Sequence, residues 1–328
     1  GHGDKMSMTE EQKKLLAYAG NLSQLASIRE SVITGGRGGG MRTAEVWNAA
    51  GLRFTVLPDR CCDIYGLSYR GTNLSYVSKN GLTSDKAVSS AKGEFSWQWQ
   101  GGALVTCGLD NTGGHSGSCP THGRIGGIPA DHFGTDCFFS GDDYILRITG
   151  EMRQTRMYGH QLILRRSIET SLFSDSIKIR DEIMNPQCTD ETYMLLYHCN
   201  FGYPLLSEDT EVTVHGGKIT PLGENSRDPR HMCEPSPDAK EELFLCENAD
   251  SGTVYNRKLG LGVTLSFTTG NLPCLVEWKN MMSHEYVVAL EPCNTYGMNR
   301  ETIERAGKIA VLRAGDTAVN ELVFKITE

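Results

Sequence analysis

The feature that most constrains this chain is the number of short segments in which apolar and polar residues alternate. In Ser176-Ile177-Lys178-Ile179-Arg180-Asp181-Glu182-Ile183 the three isoleucines share one face at a spacing of two, the period of a strand with one buried side. Residues 44–47 and 52–57 read as a strand pair around a Gly-containing turn. The same texture covers 144–153, 161–172, 193–200, 211–214, 262–268, 275–279, 286–290, 308–313 and 319–326. Turn signals such as Asn185-Pro186, Pro204 and Arg313-Ala314-Gly315-Asp316 separate them. Many short strands without alternating helices predict an all-β sandwich or barrel. One stretch, 9–26, reads as a helix. Thr9 is placed to cap it with Gln12 three residues on, and Leu15, Leu16, Leu22 and Leu25 form its stripe. The expected organisation is one large β domain over 9–328 with this helical lead-in. Residues 1–8, ahead of and around Met6, read as a tag remnant with a disordered start. The polar, Pro-containing 224–242 is a long loop.

Composition removes several function classes. With 32 Lys and Arg against 40 Asp and Glu, the net charge of −8 argues against nucleic acid as a partner. No run approaches the ~18 apolar residues of a membrane span. Eleven scattered cysteines, an odd number, read as reduced thiols of a cytoplasmic protein rather than a disulfide framework. The glycine cluster 35–40 has neither the Lys-Ser/Thr of a phosphate loop nor the G-x-G-x-x-G spacing, so it reads as a hairpin connection. His115, Cys119 and His122 form H-x3-C-x2-H, which matches neither usual zinc pattern. His284-Glu285 has Val288 where a zincin needs histidine, and no G-x-S-x-G elbow occurs. No metal and no cofactor are expected.

Three clusters carry candidate chemistry. In Thr121-His122-Gly123-Arg124, glycine lets the backbone pass close to a ligand. In Leu196-Tyr197-His198-Cys199-Asn200, the histidine and asparagine share a strand face. In Leu290-Glu291-Pro292, a carboxylate follows an apolar strand that the proline is expected to stop, which places Glu291 at a strand end.

Taken in this order, these segments resemble the aldose 1-epimerase (galactose mutarotase) superfamily, and more closely its DUF4432 branch. The resemblance is carried by Val56-Leu57-Pro58-Asp59-Arg60-Cys61-Cys62-Asp63-Ile64, by the stretch from Thr106-Cys107-Gly108-Leu109-Asp110-Asn111 to His122-Gly123-Arg124, by Tyr197-His198-Cys199-Asn200-Phe201-Gly202 and by Leu290-Glu291-Pro292. It spans roughly residues 20 to 326. One departure is that Tyr197 precedes His198 where mutarotases carry Asn-His. The resemblance implies a large β-supersandwich with a sugar cleft on one face. It implies His198 as general acid toward the ring oxygen, Glu291 as general base on the anomeric hydroxyl, and His122 as a ligand of substrate hydroxyls. Arg124, Asn111, Asp110, Arg60, Trp97, Trp99 and Lys279 are the further candidate sugar contacts, with the two tryptophans suited to stacking. The expected partner is a small-molecule carbohydrate, most simply a neutral one, and a homodimer is compatible with this reading. The rival readings are a non-catalytic sugar-binding or regulatory protein, and another sugar isomerase or lyase on the same fold.

Overall fold

A computed structural model describes residues 9–328. The tag remnant read at 1–8 lies outside the described residues. Three antiparallel sheets make up most of the molecule. The first is a meander of β1 (Ser27–Val32), β2 (Arg42–Trp47), β3 (Leu52–Leu57), β4 (Asp63–Tyr69) and β5 (Thr72–Asn73). After β6 (Val105–Leu109) come four long strands: β7 (Asp131–Ser140), β8 (Asp143–Thr155), β9 (Gln161–Ser171) and β10 (Ser176–Met184). The remainder comprises β11 (Glu191–Phe201), β12 (Thr210–His215), β13 (Ile219–Pro221), β14 (Glu242–Glu247), β15 (Ser251–Asn256) and β16 (Leu261–Phe267). It closes with β17 (Cys274–Met282), β18 (Glu285–Cys293), β19 (Ala310–Leu312) and β20 (Thr317–Thr327). The eight-stranded sheet runs β12-β15-β16-β20-β10-β9-β8-β7. The third runs β13-β14-β17-β18-β11-β19, with β6 also on β11.

These pairings realise the alternation in the sequence. Ile177, Ile179 and Ile183 are fully buried in β10, and with Leu164 and Ile168 of β9 they join a core that also holds Val46, Phe54, Leu195 and Tyr197. All three sheets therefore close on one apolar interior, the arrangement expected of stacked sheets.

One polar cluster sits inside that interior. Arg166 of β9 is fully buried and forks onto Asp181 of β10, with Nε to Oδ1 at 2.8 Å and Nη2 to Oδ2 at 2.7 Å. Its Nη1 donates to Asp63 of β4 at 2.9 Å, and Nη2 also donates to Thr106 of β6 at 2.9 Å. The Tyr197 hydroxyl of β11 donates to Asp181 at 2.8 Å. Burial pushes the Asp63 carboxyl up to about 6 against the opposing pull of Arg166.

Three expectations need correction. The lead-in is not one helix over 9–26. Thr9 does cap a helix, α1 (Glu10–Leu16), through the expected box with Gln12, but α1 buries no residue and the chain leaves it at Ala17. A separate helical turn, Leu22–Gln24, follows, capped by Asn21, because Gly20 and Asn21 favour a turn over continuation. Second, β18 continues through Pro292 to Cys293. Pro292 instead interrupts the ladder with β11, where pairs form at Leu196↔Cys293 and Cys199↔Leu290 and not between them. Glu291 thus lies within the strand. Third, β1, β4, β5, β6, β7, β13, β14 and β15 lie outside the segments read as strands.

The buried cluster makes a direct prediction. Asp181→Ala leaves the Arg166 guanidinium with half its compensation and should lower unfolding free energy by about 3–5 kcal/mol. Urea denaturation monitored by circular dichroism measures this, and a loss below about 1 kcal/mol would show that the cluster does not hold the sheets.

Candidate active site

The register on either side of the Pro292 interruption is the same, which sets His198 of β11 opposite Glu291 of β18. Their side chains meet, with Nε2 3.0 Å from Oε1, and each is only 6% exposed. Val105 of β6 and Val276 of β17 continue the row on either side. The next row holds Cys107, Leu196, Cys293 and Cys274. The His198–Glu291 pair therefore rises from an apolar floor. With Nε2 turned to Glu291, the Nδ1 of His198 is buried without a partner.

His122 reaches the same place from a loop. Its backbone is left-handed (φ 60°) and pinned by N–H donation to Gly113 O at 2.8 Å and by acceptance from Gly108 N at 3.0 Å. Gly123 is required beside it. Its φ is +74°, and a Cβ there would fall 2.2 Å from Gly108 O. The His122 ring stands perpendicular to that of His198, with centroids 5.4 Å apart. Burial, then the charge of His198, pulls its pKa down to about 3. It is a neutral ring at physiological pH, able to donate from one nitrogen and accept at the other.

Aromatic walls complete the site. Trp99 and Trp278 each present an edge-on contact to His198 at 5.4 Å, and to each other at 5.9 Å. Phe95 lies against both His122 and Trp99. A short helix, α2 (Phe95–Gln98), carries Phe95 and Trp97, and Trp99 follows it directly. Beside Trp99, the Tyr76 hydroxyl donates to Glu285 at 2.8 Å, and Glu285 pairs with Lys79 at 2.5 Å. Tyr76 aside, these groups line a cleft of about 860 Å³. That volume and the mix of rings with a few polar groups suit a small-molecule ligand.

Comparison with known proteins places this architecture. The model of the DUF4432 family, a domain of unknown function, matches residues 38–326. The chain belongs to the DUF4432 family. No curated protein matches its sequence at a significant level. Among solved structures, an aldose 1-epimerase by provisional name from Klebsiella pneumoniae subsp. pneumoniae superposes with a TM-score of 0.87 at 22% identity, covering 94% of this chain and 86% of that one. A galactose mutarotase-like protein from Clostridium acetobutylicum gives 0.64 at 12% identity, with 93% and 99% covered. A galactose 1-epimerase from Lactobacillus acidophilus gives 0.59 at 12%, with 92% and 99% covered. At these identities the likeness establishes the galactose mutarotase-like fold.

In this DUF4432 protein His122, His198, Glu291, Trp97 and Trp99 line the cleft, Trp97 at its exposed rim. The other five candidates do not. Asp110 holds the His122 loop by accepting from the Arg124 backbone at 3.1 Å and from the Arg124 guanidinium. Asn111 is fully buried, donating to Gly114 O and Pro120 O and accepting from Arg300 N. Arg60 is bound to backbone and to Gln100. Lys279 faces away from the cleft and pins the 224–242 loop through Asp228 O at 2.7 Å, His231 O at 2.9 Å and Glu242 at 3.2 Å. Trp278, Phe95, Lys79, Asn280 and Glu285 are site groups that sequence reasoning missed. For Trp278 and Asn280 a signal existed, because both share a strand face with Val276, the neighbour of Glu291. Among the described residues no group of three or more His, Cys, Asp or Glu is arranged to hold a metal ion.

The depressed His122 value has a measurable sign. The folded protein resists protonating this ring while the unfolded chain takes a proton near pH 6.5. The stability it contributes is therefore complete above about pH 6.5 and falls as pH drops toward about 3. Imidazole nitrogen NMR should find His122 neutral down to about pH 5, and a midpoint above about 6 would contradict the buried environment.

Proposed function

We propose that this protein interconverts the anomers of a free or modified sugar, with His198 and Glu291 as the acid–base pair. The observation that carries this reading is their 3.0 Å contact on the cleft floor. A cyclic hemiacetal bears its hydroxyl and its ring oxygen on the same carbon. Opening the ring removes a proton from one and delivers a proton to the other, so acid and base must stand side by side. Glycoside hydrolysis makes a different demand, with two carboxyl groups flanking the bond about 5 Å or more apart.

In the imidazolium–carboxylate form, Glu291 takes the proton of the anomeric hydroxyl while His198 gives one to the ring oxygen. The bond between anomeric carbon and ring oxygen breaks and the carbonyl forms. After rotation about the exposed carbon–carbon bond, the ring oxygen attacks the other face and both protons return. Trp99 and Trp278 offer apolar surfaces for the sugar's C–H faces. The neutral His122 is suited to hydrogen bonding with hydroxyls rather than to carrying charge.

His198→Ala and Glu291→Gln should each slow exchange by about 10²–10⁴-fold with the fold intact. Exchange NMR on a panel of aldoses measures this. Wild-type exchange no faster than buffer for every sugar would remove the reading. Binding without exchange would leave a sugar-binding protein, and a product other than the second anomer would indicate a different sugar reaction.

A further inference from the structure

The cleft floor contains a pair of thiols that the proposed proton transfers do not use. All eleven cysteines are free, and two of them meet. Cys274 of β17 and Cys293 of β18 stand directly opposite in the ladder, with Sγ 3.6 Å from Sγ. Both are fully buried. They belong to the row next to Val276 and Glu291, and Leu196 of their own row lines the cleft.

Their placement suits a covalent link. Residues paired across an antiparallel ladder have Cα atoms about 4.5–5.5 Å apart, inside the span that a disulfide bridges. Cross-strand partners also leave the sheet on one face. Closing the bond takes the sulfurs from 3.6 Å to about 2.05 Å, a step that side-chain rotation and a small approach of the strands supply. The two thiols are not equivalent. Cys274 donates to Cys293 O at 3.3 Å and shares its proton with the Cys293 sulfur. That contact holds the Cys293 thiol below its usual range, while the same contact and then burial push Cys274 up. The thiolate is the attacking species, so Cys293 is the nucleophile and Cys274 the resolving thiol. Val105, Leu196 and Val276 surround the pair, with Leu245 and Tyr296 packed against it. So enclosed and apolar a place suits a small neutral oxidant better than a bulky or charged one.

We propose that Cys274 and Cys293 form a modification site at which hydrogen peroxide converts the two thiols to a disulfide, clamping β17 to β18 beside Glu291. The Cys293 thiolate attacks one peroxide oxygen. The O–O bond breaks, leaving a sulfenic acid on Cys293 and a hydroxide, which takes up the proton that Cys293 released. The Cys274 sulfur then attacks the sulfenic sulfur. The S–S bond forms, the S–O bond breaks, and the Cys274 proton leaves with the hydroxyl as water. The two thiols lose two electrons, and the peroxide gains them in becoming two waters. The site does not depend on the epimerase reading, and its chemistry is read without turnover of any sugar.

The test treats the full folded protein with hydrogen peroxide, blocks remaining thiols with iodoacetamide during unfolding, and maps an unreduced digest by mass spectrometry. The exposed Cys188 and Cys233 report general thiol oxidation. The expected product is a Cys274–Cys293 peptide pair, two hydrogens lighter than the separate thiols and reversed by dithiothreitol. Its share of all linked peptides should be at least about tenfold higher than in urea-unfolded protein given the same treatment, because the fold holds the sulfurs together. In Cys274→Ala, which keeps an apolar side chain in the row, the link should vanish and dimedone should trap a sulfenic acid on Cys293. Imidazole NMR should show the His198 signals shifting on oxidation in wild type and staying fixed in Cys274→Ala. Recovery of both cysteines as alkylated thiols at peroxide doses that oxidise Cys188 and Cys233 would overturn the site, whatever the variant does. So would a linked share no greater in folded than in unfolded protein. A disulfide that forms while the His198 signals stay fixed would overturn the clamp on the cleft.

Discussion

The buried guanidinium of Arg166 is the constraint on which the rest depends. It is bonded to side chains from all three sheets: Asp181 of the eight-stranded sheet, Asp63 of the meander and Thr106 of the third. Such a group is costly to bury and tolerable only when nearly every N–H finds an acceptor. That requirement makes the cluster a gauge. If one sheet slides by a residue, a carboxylate is lost and a charge is stranded. The cluster also reaches the site through the chain. Tyr197, which donates to Asp181, precedes His198, and alternation turns the two side chains to opposite faces of β11. Fixing Tyr197 toward the core fixes His198 toward the cleft.

Pro292 adds a second device. A proline inside a strand flanked on both sides removes one ladder bond, and here the gap falls beside His198 and Glu291. The strands keep their register, so the side chains stay opposed, while the local backbone is released from regular pairing. Below them the row of Cys107, Leu196, Cys293 and Cys274 supplies a floor without strong hydrogen-bonding groups, so His198 and Glu291 have each other as partners.

The sequence reading recovered what depends on local alternation. The strands from β8 to β11 and the pair β2–β3 follow from period-two patterns, and the residues that meet at the cleft centre, His122, His198 and Glu291, stand in segments that resemble mutarotases. It failed where identity depends on partners. Lys279 is read as a sugar contact while its neighbour Trp278 faces the cleft, because adjacent strand residues point to opposite faces and a single strand does not disclose which face is the cleft. Asp110, Asn111 and Arg124 are polar residues beside a site histidine, yet their bonds are spent holding the loop in the left-handed turn that presents it. Nothing local distinguishes a strut from a ligand. β6 escaped because it is buried on both faces along its whole length, which erases alternation.

Burial of the acid–base pair itself explains the economy of the site. His198 and Glu291 are each only 6% exposed, and at 3.0 Å each gives the other a polar partner in surroundings that offer few others. His122, with no such partner, answers its burial by staying neutral. One low-dielectric cleft thus holds two histidines in different roles, one suited to proton transfer and one to hydrogen bonding, and what separates them is whether a carboxylate stands opposite on the next strand.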